Sequence, residues 1–298
     1  MASPTDPSYA LPPHVVAEKI FGVESAWRDK LVAELARTAL EAAWAGAEIL
    51  RAAATSPGGT VTGISTKISN TDMVSDVDRS SEAAINEVLA RSRPNDALLA
   101  EEGSARTGTT GVRWVVDPLD GTTNFLYGIP QYAVSIAAEV DGMGTVGVVL
   151  DPCRSEIWAA ASGHGAFCNG VQCKVRPASS GIAAALIATG FAYQAHCRRW
   201  QGDVARQLLP RVRDLRRFGS AALDLSWLGG GRFDGYFEWG LNPWDLQGGA
   251  LIARESGATV EAFPNGTTVA STPALFGPLC ELLAAAGAFD AVPIDSDD

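Results

Sequence analysis

Two aspartates placed around Pro-Leu, at the end of an apolar run and ahead of a glycine, constrain this chain more than any other feature. In Trp114-Val115-Val116-Asp117-Pro118-Leu119-Asp120-Gly121-Thr122-Thr123-Asn124-Phe125, the opening apolar residues read as the end of a buried strand. Pro118 has no N–H to give to a ladder, so Asp117-Pro118 is expected to stop that strand. Gly121 permits a tight reversal, and Thr122-Thr123-Asn124 suits the opening of a short helix. Asp117 and Asp120 then stand at the mouth of a sheet, just ahead of free backbone N–H groups. Carboxylates there suit divalent cations, and the helix start beside them suits an anion.

Asp-Pro and Asp-Gly are ordinary turn dipeptides, so the argument needs companions. Glu101-Glu102 closes the apolar run 97–100, and Trp244-Asp245 opens a helix far downstream. Paired acidic groups at a strand end are unfavourable unless something neutralises them. A cluster of magnesium ions would do so. The wider composition agrees: 34 acidic against 23 basic residues leave a net charge of −11, which argues against nucleic-acid binding through a basic face. No apolar run reaches the length of a membrane span and the start shows no secretory pattern, so cytoplasmic placement with free thiols is expected for the five cysteines. Cys168 and Cys173 flank the turn dipeptide Asn169-Gly170, which leaves a cross-strand pair open.

With 298 residues, one large domain or two fused lobes can form. Residues 1–24 carry four prolines and little periodicity and read as a loose arm. Helical spacing over 25–54 predicts a long alanine-rich helix, capped by Ser25 and ended by Ser56-Pro57-Gly58-Gly59. Residues 58–76 predict a mobile hairpin or loop holding Lys67, and 76–91 a helix that carries Asp78 and Glu82 on one face. Residues 97–168 predict an antiparallel meander, with later strands at 132–140, 145–150, 156–160 and 165–168. After a boundary at 175–181, strands at 183–188, 233–239, 259–262 and 268–271 alternate with helices at 199–209, 220–228, 244–255 and 278–286. The segmentation is therefore an N-terminal α+β lobe at 25–178, an α/β lobe at 179–290 and an acidic tail at 291–298. Gly229-Gly230-Gly231 reads as a helix end, and Arg211, Arg213, Arg216 and Arg217 as a solvated or dimer-facing surface.

Several segments together resemble the inositol monophosphatase family of Mg²⁺-dependent, lithium-sensitive phosphomonoesterases. They are Ala100-Glu101-Glu102-Gly103-Ser104, the stretch Asp117–Phe125, and Pro243-Trp244-Asp245-Leu246-Gln247-Gly248-Gly249-Ala250, with Lys67, Asp78 and Glu238 in matching register. The likeness covers roughly residues 27–287. It implies a layered αβαβα sandwich, the sugar-phosphatase fold, and a homodimer acting on a small phosphate ester. It implies two to three Mg²⁺ ions. Glu101, Asp117 and the Leu119 carbonyl would hold the first, Asp117, Asp120 and Asp245 the second, and a weaker third would lie near Glu101.

By the same resemblance, Thr122, aided by Asp78 and Glu101, would orient and deprotonate the attacking water, with Lys67 near the metals. Backbone N–H groups of Gly121 and Thr122 would hold phosphate, while Asp120, Gly219, Ser220, Ala221 and Glu238 would face the substrate. Glu102 would stand behind the ligands. The implied reaction is hydrolysis of myo-inositol monophosphate. Histidinol phosphate, fructose 1,6-bisphosphate and 3′-phosphoadenosine 5′-phosphate stay open as substrates, as does a non-catalytic regulatory protein on the same fold. No nucleic-acid or membrane partner is implied.

Overall fold

A computed structural model describes residues 30–54, 65–66, 73–177 and 181–292. The N-terminal arm, Ser25, most of the 58–76 loop with Lys67, part of the expected boundary and most of the acidic tail lie outside them. Elements follow in the order α1 (Lys30–Ala54), β1 (Ser65–Thr66), β2 (Met73–Val74), α2 (Asp76–Ser92), β3 (Ala97–Ala100), β4 (Ala105–Arg106), β5 (Val112–Asp120) and α3 (Thr122–Leu126). Then come β6 (Ala133–Val140), β7 (Met143–Asp151), β8 (Glu156–Ala161), β9 (Gly165–Cys168) and β10 (Val171–Gln172). The remainder is β11 (Leu186–Thr189), α4 (Ala195–Leu208), β12 (Asp214–Arg216), α5 (Ala221–Gly229), β13 (Gly235–Trp239), α6 (Pro243–Glu255), β14 (Thr259–Ala262), β15 (Thr267–Ser271) and α7 (Pro273–Ala285).

Five layers result. Helices α1 and α2 cover one face of an eight-stranded sheet ordered β10-β9-β8-β7-β6-β5-β3-β4. Helices α5 and α6 fill the space between its other face and a five-stranded sheet ordered β12-β11-β13-β15-β14. Helices α4 and α7 close the far side. Each gap has its own core. Leu35, Leu50, Trp114, Val116 and Ile136 fill the first; Val149, Trp158, Leu225, Tyr236 and Ile252 the second; Ile187, Leu208, Phe237, Leu279 and Leu283 the third. The central strands read as near-continuous apolar runs because both faces are covered: Val148 enters the first core and its neighbour Val149 the second.

The middle layer fits without room to spare. A Cβ on Gly147 of β7 would lie 2.7 Å from the Gly248 carbonyl oxygen of α6, and one on Gly248 would lie 2.7 Å from Ser135 Oγ. Glycine at both positions lets α6 lie directly on the sheet.

Several expectations are corrected. The strand does not stop at Asp117-Pro118; β5 continues to Asp120 through an irregularity, with Asp117 opposite Ser135 and Asp120 opposite Ala133. A bulge absorbs the proline that a regular ladder would exclude. The 97–168 region is not wholly antiparallel, since β3 pairs parallel with β5; the chain reverses through β4 on the outer edge of β3 before β5 begins. Residues 182–184 form a 3₁₀ turn before β11. Helix α4 begins at Ala195, and α7 at Pro273, carrying Pro278 inside it. Pro273 at the first helical position gives the same start signal as Pro278, five residues earlier. Part of the arginine cluster, read only as surface, is the edge strand β12. All five cysteines are free thiols. No helix of the described residues is long and apolar enough to cross a membrane.

Candidate active site

The site forms where β5 ends. Asp117 and Asp120 flank its bulge, and Gly121 turns the chain with φ +98°. A Cβ on Gly121 would meet the Gln131 carbonyl oxygen at 2.9 Å and the Gly219 carbonyl oxygen at 3.2 Å, so the left-handed turn and the close approach both require glycine. Asp117 is buried, with Oδ1 accepting from the Leu119 N–H at 2.9 Å. Asp120 Oδ2 accepts from Ser220 Oγ at 2.6 Å and the Ala222 N–H at 2.8 Å. Both donors stand at the start of α5, where Ser220 is also the N-cap.

Two further acidic groups come from helix starts. Asp245 lies in the first turn of α6, its Oδ2 accepting from the Asn242 N–H at 2.7 Å in a capping box. Asp78 does the same for α2, taking the Ser75 N–H at 2.8 Å and the Ser75 hydroxyl on Oδ2. Its Oδ1 is left to accept from Thr122 Oγ1 at 3.0 Å, and that hydroxyl lies equally close to the Leu119 carbonyl. Asp78 thus caps a helix and reaches the site.

Glu101 follows β3, tied by its N–H to the Val116 carbonyl at 3.1 Å. Its turn is anchored by Glu82 on α2, which sequence reasoning placed beside Asp78 without a task. Glu82 accepts from the Glu102 N–H at 2.7 Å and the Ser104 N–H at 2.9 Å.

These carboxylates share one electrostatic field. Burial raises the Asp117 carboxyl well above the usual range, and the charges of Glu101, Asp120 and Asp245 push it further. Asp245 is raised by burial and by the charges of Asp120 and Glu101. Asp120 is pushed up to about 6 by burial, against the Ser220 and Ala222 hydrogen bonds that lower it. Among the described residues no three such side chains stand close enough, as folded, to hold an ion outright. Backbone N–H groups hold Asp117, Asp120 and Asp245 in their present poses. Buried carboxylates that raise one another's pKa form a place that a divalent cation would relieve, and an all-oxygen donor set fits a hard one.

Across the cleft, Glu238 on β13 accepts from Tyr236 at 2.7 Å and is pushed up to about 7, chiefly by burial. Gly219, Ser220 and Ala221 stand between it and Asp120 in sequence, and Ser220 bonds to Asp120. The structure therefore gathers Glu101, Asp117, Asp120, Asp245, Thr122 and Asp78 at one end of the large sheet, with Glu238 beyond. Sequence reasoning missed Tyr236 and Asp224, which face Glu238 from its own strand and from α5. An aspartate inside the apolar run Ala221–Gly229 was the available signal for Asp224.

A family model described as the inositol monophosphatase family matches residues 31–286. The chain belongs to the inositol monophosphatase family. The inositol-1-monophosphatase SuhB of Mycobacterium tuberculosis is 44% identical over 202 residues, 65% of this chain and 70% of the relative. The protein named Nus factor SuhB of Pasteurella multocida is 42% identical over 200 residues, 66% of this chain and 74% of the relative. The crystal structure of the extragenic suppressor protein suhB from Bartonella henselae superposes with a TM-score of 0.76 at 33% identity, covering 85% of this chain and 98% of that one. An IMPase/NADP phosphatase solved with Mg²⁺ and phosphate superposes at 0.65 with 25% identity, covering 74% of this chain and 86% of that one. Membership in the inositol monophosphatase family carries phosphatase chemistry at the level of the family, and the five-layer architecture is the family's fold.

Proposed function

We propose that this chain is a Mg²⁺-dependent phosphomonoesterase that hydrolyses myo-inositol monophosphate, or a closely similar polyol phosphate, to the alcohol and phosphate. The observation that carries this reading is the electrostatic field that the buried Asp117 and Asp120 share with Glu101 and Asp245. Such packed negative charge is unfavourable without a cation. The relative solved with Mg²⁺ and phosphate supports the same choice of ion.

Glu101, Asp117 and the Leu119 carbonyl would hold one ion, and Asp117, Asp120 and Asp245 a second, with a weaker third beside Glu101. Bound there, the ions would lower the pKa of water and stabilise the departing alkoxide. The chain supplies orientation and a path for the proton. Thr122 gives its hydroxyl hydrogen to Asp78, so its lone pairs are open to a hydrogen from the attacking water. As that water attacks phosphorus and the P–O bond to the alcohol breaks, its proton would pass to Thr122 Oγ1 while the threonine's own proton moves to Asp78, aided by Glu101, and the departing alkoxide would take a proton from solvent water. Backbone N–H groups of Gly121 and Thr122 would donate to phosphate oxygens. Gly219, Ser220 and Ala221 would line the alcohol side, where Glu238 would accept from a ring hydroxyl. Lys67 would complete the metal side of the site.

Phosphate release from inositol 1-phosphate by the purified protein with Mg²⁺ tests this. It is compared with histidinol phosphate, fructose 1,6-bisphosphate and 3′-phosphoadenosine 5′-phosphate. A clear preference for one of the latter overturns the inositol assignment. A second reading, a binding role in transcription, draws on the Nus factor name of a relative. Asp117→Asn separates the two, since it abolishes turnover and leaves a purely binding role intact.

A further inference from the structure

Glu238 is held by two neighbours that the chemical step does not use. Tyr236 lies two residues earlier on β13, is fully buried, and donates to Glu238 Oε2 at 2.7 Å. On the other side, β11 pairs parallel with β13 with Thr189 opposite Phe237, which brings Gly190 beside Glu238. A Cβ on Gly190 would fall 1.9 Å from Glu238 Oε1, 2.0 Å from Cδ and 2.1 Å from Oε2. The carboxylate occupies the volume that any side chain at position 190 would need.

The surroundings make this placement consequential. Asp224 on α5 is buried, its Oδ1 has no hydrogen-bond partner, and its charge faces Glu238. Arg217 offers the opposite charge, its guanidinium resting where a Cβ on Gly219 would stand, 2.3 Å from that position. Glu238 therefore sits between like and unlike charge, and a small displacement would change what it presents to the cleft.

We propose that Gly190 and Tyr236 are positioning residues that make Glu238 a specificity determinant. The notch at Gly190 sets where the carboxylate stands, and the tyrosine takes one lone pair of Oε2, which leaves the remaining lone pairs of the carboxylate for a donor. The ligand class this selects is a phosphate ester whose alcohol half presents a hydroxyl hydrogen. The inference rests on the phosphomonoesterase reading above and names how that site chooses its alcohol.

The test measures kcat and KM, with Mg²⁺, for inositol 1-phosphate and for phenyl phosphate, whose alcohol half has no hydroxyl. Wild type, Tyr236→Phe and Gly190→Ala are compared. Each variant is expected to lower the ratio of the two kcat/KM values about tenfold through a higher KM for the inositol ester, because a hydrogen bond to a charged group is lost or misplaced. Tyr236→Phe keeps the packing volume, so it decides the matter if Gly190→Ala fails to fold. A wild-type preference for the inositol ester that survives in Tyr236→Phe, or both esters weakening together, overturns the inference and leaves the phosphatase reading standing. A wild type that cleaves neither ester overturns both, and one that prefers phenyl phosphate overturns the inference and the inositol assignment while phosphomonoesterase activity stands.

Discussion

The Ser220 hydroxyl donates to Asp120 Oδ2 at 2.6 Å, joining residues one hundred positions apart and bonding the start of α5 to the carboxylate at the end of β5. The same oxygen is the N-cap of α5, approached by the Leu223 N–H at 3.4 Å. Ser220→Ala therefore acts twice. Loss of the cap lowers stability by about 1 kcal/mol. Loss of the donor removes an interaction that lowers the Asp120 pKa, so that carboxyl rises further. More Mg²⁺ is then required for half-maximal activity, and the acid limb of the activity profile moves to higher pH. Urea unfolding and Mg²⁺ titrations at several pH values check both effects.

Asp120 at about 6 and Glu238 at about 7 lie above the ordinary carboxyl values of 3.8 and 4.5. Raised carboxyl values mean that the folded state holds its protons more tightly than the unfolded chain. The stability they confer is complete below the unfolded values of 3.8 and 4.5 and is lost as pH rises from there through the folded values of about 6 and about 7. In chelator, the melting temperature should fall across that interval, and added Mg²⁺ should raise it more at pH 8 than at pH 5. Asp117→Asn keeps the acceptor for the Leu119 N–H but removes a buried charge. It should melt higher than wild type in chelator at pH 8 and have almost no turnover.

Thr122 links Asp78 to the Leu119 carbonyl, with 3.0 Å contacts to both. Thr122→Val removes the relay and leaves Asp78 Oδ1 without that donor. It should lower kcat about a hundredfold or more. Thr122→Ser keeps the hydroxyl and should retain most activity. Stopped-time phosphate assays at saturating ester distinguish them.

Gly147 and Gly248 bring β7 and α6 into direct contact, and Asp245 stands on the first turn of that helix. Gly147→Ala forces the Gly248 carbonyl away from its 2.7 Å position. Overpacking of this kind costs about 1–3 kcal/mol. Because α6 carries Asp245, the Mg²⁺ concentration needed for activity should rise as well, which a mutation affecting only the core would not produce.

The carboxylates at the ends of β3 and β5 and at the start of α6 were legible as candidates in the sequence because the motifs carrying them are local. Asp78 could be placed on α2 because residues 76–91 read as a helix that carries it on one face with Glu82. The bulge at Pro118 was not legible, because proline signals a break without saying whether the partner strand accommodates it. The parallel β3–β5 pairing depends on the path of the chain outside those strands. Edge strand β12 was hidden by its charges, which solvent accepts on an edge. Gly190 was invisible for another reason: its meeting with Glu238 is a packing event between β11 and β13, while Tyr236 shares a face of β13 with Glu238 by strand alternation, which does not by itself announce a hydrogen bond.

The central claim is that Glu101, Asp117, Asp120 and Asp245 gather round common divalent ions. Anomalous diffraction from crystals soaked in Mn²⁺ measures this directly. Two peaks roughly 3.5–4 Å apart, bridged by Asp117 and flanked by Glu101, Asp120 and Asp245, are the predicted result. Manganese bound elsewhere, or none among these carboxylates at concentrations that support phosphate release, would contradict it.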